Sequence, residues 1–113
     1  MADIRFMTIP VRFANASVSG NGTVTASGSA DFGVGTTVIG AGVAIQAWEL
    51  SFGNRHNSVK SAAASISNVR FGATSVTFEA SLRFEDNSGN KLDPKEVSLT
   101  ALVTAIVEVK TPL

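Results

Sequence analysis

Thr74–Phe84, TSVTFEASLRF, decides the fold of this chain. Val76, Phe78, Ala80, Leu82 and Phe84 alternate with Ser75, Thr77, Glu79, Ser81 and Arg83. Extended backbone turns successive side chains to opposite faces, so this period predicts an antiparallel strand with one dry face and one wet face. The pattern returns in Val97–Val109, where Val97, Leu99, Ala101, Val103, Ala105, Val107 and Val109 share one parity. In Val43–Phe52 the same logic sets Trp48, Leu50 and Phe52 on a buried face, with Glu49 and Ser51 outside. Met7, Ile9, Val11 and Phe13 form another strand. Pro10 within it has no N–H to give a ladder, which predicts a sheet edge or a bulge.

Between Val59 and Phe71 the parity changes: Ala62, Ala64 and Ile66 keep one phase, Val69 and Phe71 the other. A bulge near Ser67 or Asn68 reconciles them. A short helix over Val59–Ala64 is the competing reading, because Ala favours helix, but the neighbouring Ser and β-branched residues favour a strand. Ser19–Gly22, Gly53–Asn57, Gly72–Ala73 and the polar run Asp86–Lys95 supply the turns. Residues 17–42, rich in Gly, Ser and Thr, read as irregular strands and loops: an insertion in the domain, or an arm reaching a neighbouring subunit. Seven or eight strands in one domain spanning 1–113 imply an all-β antiparallel sandwich, jelly-roll-like, with little or no helix.

Composition narrows the functional classes. The 113 residues carry 9 Lys+Arg and 9 Asp+Glu, so there is no electrostatic footprint for nucleic acid. No apolar run approaches the ~20 residues of a membrane helix, and Asp3, Arg5 and Arg12 interrupt the start as a signal peptide would not permit. These features predict a soluble protein with neither nucleic acid nor membrane as partner. Cys is absent, which removes disulfides, thiol nucleophiles and thiolate metal sites. His56 is the single histidine, and no nucleophile elbow, phosphate loop or His-Glu-x-x-His helix occurs. The expectation is a protein without enzymatic activity or cofactor.

Two loops hold the candidate site residues. Asn54, Arg55, His56 and Asn57 are four consecutive multivalent hydrogen-bonding side chains after the Trp48 strand. Such groups suit paired sugar hydroxyls, and a flat aromatic suits a sugar's apolar face. Arg55 brings a planar fork, and His56 one donor and one acceptor near neutral pH. Asp86 and Asn90 are second candidates. Oxygen-bearing residues from Asp86 to Asp93 begin like a calcium loop, but Val97 stands where that loop needs a bidentate Glu, so an ordinary polar turn is the simpler reading.

From Val43 to Val109 the order is strand, Trp, Asn-x-His loop, strand, aromatic-rich strand, acidic Ser-Gly-Asn loop and long final strand. This layout resembles the small trimeric H-type lectins. The resemblance implies a six-stranded sandwich, a trimer, and binding of N-acetylgalactosamine-like sugars at subunit interfaces. Independently, Leu102 and Ile106 lie opposite the core parity of the last strand. They either meet another copy or are covered by residues 17–42. Two functions therefore remain: an oligomeric, lectin-like carbohydrate-binding module, or a structural subunit of a virion, phage tail or extracellular filament built by strand or arm exchange.

Overall fold

The computed structural model describes residues 2–13, 23–49, 59–86 and 98–109. Six strands account for nearly all of them: β1 (Ala2–Val11), β2 (Thr23–Asp31), β3 (Thr36–Glu49), β4 (Val59–Gly72), β5 (Ser75–Asp86) and β6 (Ser98–Val109). They form two three-stranded antiparallel sheets, β1-β6-β3 and β2-β5-β4, packed as a sandwich, with no helix among the described residues. Against the seven or eight short strands expected, the described residues hold six longer ones. The bulge in β4 bends that strand without ending it, so its two runs of opposite parity are continuous.

The two strands with the clearest alternation are the central ones. From β5, Val76, Phe78, Ala80 and Leu82 point inward; from β6, Leu99, Ala101, Val103, Ala105 and Val107 do so. Val11, Phe13, Val24, Ala30, Phe32 and Val38 complete the core of the described residues. Full burial of a side chain such as Leu82 contributes about 1.5–3 kcal/mol relative to exposure. Leu50, Phe52 and Val97, also expected inside, lie outside the described residues.

Within the Gly/Ser/Thr-rich stretch 17–42, residues 17–22 lie outside the described residues and the rest is mostly strand. Thr23–Asp31 is a regular edge strand against β5, and Thr36–Gly42 opens β3. Their period was hard to see because the inward residues Val24, Ala26, Gly28 and Ala30 are small. Gly28 lies directly opposite Phe78, and the Phe78 ring fills the space a larger side chain would need. Neither strand of this stretch lies over the outer face of β6, since β2 belongs to the other sheet and β3 lies beside β6.

β4 is a strand throughout, and its register shifts between Ser67 and Arg70. Asn68 sits there at φ 51°, one of two non-glycine residues in the left-handed region among those described. The shift sets Phe71 opposite buried Val76, on the inner face as expected, yet Phe71 and Val69 stay partly exposed because β4 is an edge strand. β1 is likewise an edge, consistent with Pro10, and starts earlier than the alternation from Met7 indicated.

Candidate functional site

Strand direction sorts the connections by length. β2 passes to β3 through residues 32–35, and β4 passes to β5 through residues 73–74. These short links touch: the Phe32 N–H donates to the Thr74 carbonyl and the Val38 N–H to the Ala73 carbonyl, each at 2.8 Å. The link after β2 closes on itself as well. Asp31 Oδ1 accepts from the Gly33 N–H at 2.8 Å, and Gly33 and Gly35 take φ values of 93° and 89° that favour glycine. At the opposite end of the sandwich stand Val11, Thr23, Glu49, Val59, Asp86 and Ser98. The connections 12–22, 50–58 and 87–97 all leave and re-enter the sheets there. Antiparallel pairing therefore brings the ends of all three long connections together.

Asn54, Arg55, His56 and Asn57 lie outside the described residues, as do Asn90 and the remainder of the Asp86–Asp93 run. Asp86 is the last residue of β5 and faces Val59, the first residue of β4. The topology thus brings the strand ends flanking both candidate sets to one end. Among the described residues, no group of three His, Asp or Glu is placed to hold a metal ion.

Trp48 occupies that same end and corrects a sequence expectation. It pairs with Leu99, which is buried, so its side chain has the inward parity anticipated for it. It is nevertheless 46% exposed. Alternation specifies the face of a strand, while burial also depends on what covers that face. Trp48 is on an edge strand, one residue from its end. An aromatic plane is thereby accessible two residues before the 50–58 connection begins.

The two outer faces of the sandwich differ in chemistry. Outside β2-β5-β4 lie Thr25, Ser27, Ser29, Thr77, Ser81, Ser65 and Ser67, with Glu79, Arg70 and Arg83 among them. Thr25 and Ser81 face each other with hydroxyls 3.0 Å apart. The left-handed turn at Asn68 aims its amide Nδ2 at Glu79 Oε2, 2.9 Å away. Ser27, Asn68, Arg70, Thr77 and Glu79 border a shallow depression there. Sequence reasoning located the bulge but not this polar group, because its members come from three strands and meet only once the register is known.

Outside β1-β6-β3 the surface carries large apolar side chains among threonines. Ile4 is 59% exposed, Phe6 64%, Ile39 49% and Ile106 42%, with half-buried Leu102 between the β1 and β3 lanes. No described helix is long and apolar enough to cross a membrane. Compared with family models, curated proteins and solved structures, the chain matches none of them, so a functional reading rests on its own residues.

Proposed function

We propose that this protein is a non-enzymatic, oligomeric recognition module that binds carbohydrate in the manner of a lectin. The site is at the end of the sandwich where Trp48 is exposed and the strand ends flanking the three long connections meet. The observation that carries the reading is the accessible indole of Trp48 on the inner-face edge. A buried Trp would have been a packing residue. An exposed one next to a segment holding Asn54, Arg55, His56 and Asn57 offers the combination a sugar requires: a π-face for its C–H surface and directional groups for its hydroxyls. Several copies, each with a weak site, would raise avidity without any further contact. A six-stranded sandwich agrees with the lectin resemblance, which adds a trimer and N-acetylgalactosamine-like ligands to the proposal.

A glycan array tests it. Selective signals that are lost in Trp48→Ala, Arg55→Ala and His56→Ala, with circular dichroism unchanged, support the site. An array with no saturable signal from folded oligomer contradicts it. A second reading, a structural subunit of a virion, tail or filament, is favoured by the apolar outer face of β1-β6-β3. Filaments or shells in negative-stain electron microscopy of the purified chain would support that reading over the first.

A further inference from the structure

From the apolar outer face we infer a specific self-association surface: the outer side of the β1-β6-β3 sheet, with β1 of one copy seated on β3 of the next. The inference rests on the oligomeric part of the reading above and assigns it a surface, a mate and an orientation. On β1, Ile4 and Phe6 project as a ridge, continued by Ile106, which faces Ile4 across the β1–β6 ladder. On β3, Gly40, Gly42 and Ala44 form a low lane beside Ile106, Thr104 and Leu102. A Cβ built on Gly42 meets nothing within 4 Å and one on Gly40 meets Ile106 from 3.6 Å, so the lane is open at Gly42, bounded by Ile106 at Gly40 and preceded on β3 by exposed Ile39. Ridge and lane lie on one face, on the two edge strands either side of β6, and each is the shape the other lacks.

Size and charge both select a second copy as the occupant. Three strands spaced ~4.8 Å apart, with about ten residues at ~3.3 Å each, present roughly 500 Å² in projection. Two such faces reach about 1,000 Å², the size expected of a specific interface, before side-chain relief is counted. The outward parity runs through Ala2, Ile4, Phe6, Thr8 and Pro10 on β1, and Thr100, Leu102, Thr104 and Ile106 on β6. None of these is ionisable; Glu108 on β6 and Glu49 on β3 hold outward register positions only at the two ends of the sheet, so the centre of the face is free of like-charge repulsion. A face that docks on an anionic membrane would instead carry Lys or Arg around its apolar centre. The other outer face, with its hydroxyls and charges, has no need of cover.

Orientation follows from the pairing. When β1 of one copy meets β3 of its neighbour in a closed ring or pair, the rotation axis runs along the strands. All copies then present Trp48 and the ends of the three long connections at the same end of the assembly. That is the geometry multivalent binding to a surface needs.

The test is analytical ultracentrifugation of the full chain over a concentration series, on the order of 1 to 100 µM, the range in which specific interfaces of this size associate. The variants are Phe6→Glu on the ridge, Gly42→Gln in the lane, and Val34→Glu as a control on an exposed turn outside this face. The expected result is an oligomeric wild type and control, with both face variants shifted at least tenfold toward the 11.7 kDa monomer and folded by circular dichroism. A wild type that stays monomeric at the top of the series overturns the inference. So does an oligomer that tolerates Phe6→Glu and Gly42→Gln, or a monomer that co-sediments with phosphatidylserine vesicles through Phe6. If a face variant misfolds, the other decides the outcome. A glycan array on the same proteins separates the two proposals: oligomerisation through this face without sugar signals leaves the interface standing and removes the lectin reading.

Discussion

Gly28→Ala is the most discriminating perturbation of the core. Gly28 faces Phe78 across the β2–β5 ladder, and Phe78 is buried in the sandwich. A Cβ added at Gly28 would lie 2.4 Å from the ring Cζ and 2.9 Å from both Cε atoms. Carbon atoms prefer ~3.5–4.0 Å, so ring or strand must move by about 1 Å inside a close-packed interior. Overpacking of this kind costs about 1–3 kcal/mol. The lower entropy of the unfolded chain carrying alanine offsets about 0.4–1 kcal/mol of that. The expected net loss is about 1–2 kcal/mol, read from urea unfolding followed by circular dichroism. Gly72→Ala is the control, because a Cβ there meets nothing within 4 Å and the substitution should be neutral or slightly stabilising. Shortening the ring should relieve the clash, so Phe78→Leu should cost at least ~1 kcal/mol less in the Gly28→Ala background than in wild type. Wild-type stability in Gly28→Ala, or strict additivity of the two substitutions, would refute the close approach of β2 to the Phe78 ring.

Two further expectations follow from local geometry and chemistry. Ala73 turns the two-residue β4–β5 link at φ 50°, where glycine is favoured, so Ala73→Gly should raise stability by about 1 kcal/mol; a loss of stability would contradict that backbone assignment. If His56 accepts a hydrogen bond from a bound sugar, protonation below its reference pKa of ~6.5 removes the acceptor, and affinity should fall as pH drops from about 8 to about 5. Affinity constant over that range, together with full binding by Arg55→Ala, would exclude residues 54–57 as the site.

The architecture was legible wherever a strand is wet on one side and dry on the other. Val76 through Leu82 and Leu99 through Val107 state their faces in sequence, and burial requires that parity. The bulge in β4 was legible for the same reason, since Ile66 and Phe71 can share a face only if an extra residue intervenes. β2 was obscured because Phe78 contributes the volume that Gly28 lacks, a compensation between strands that no single stretch displays. Trp48 shows the complementary limit: its parity was legible, but its exposure depends on its place at the end of an edge strand. The polar set Ser27, Asn68, Arg70, Thr77 and Glu79 was invisible for a related reason, as its members are distant in sequence and only the register joins them. Of the candidate ligand residues, sequence indicated the chemistry of Asn54–Asn57 and Asp86, and topology added that the strand ends flanking them converge.

Trp48 is the chain's sole tryptophan, so intrinsic fluorescence reports directly on the proposed site. The decisive measurement is a titration of the folded protein with N-acetylgalactosamine, with acrylamide quenching measured at each step. The expected result is a saturable emission change and a matching loss of acrylamide access, as the sugar covers the exposed indole, with both lost in Arg55→Ala. Sugar binding detected by calorimetry that leaves Trp48 emission and quenching unchanged would contradict it.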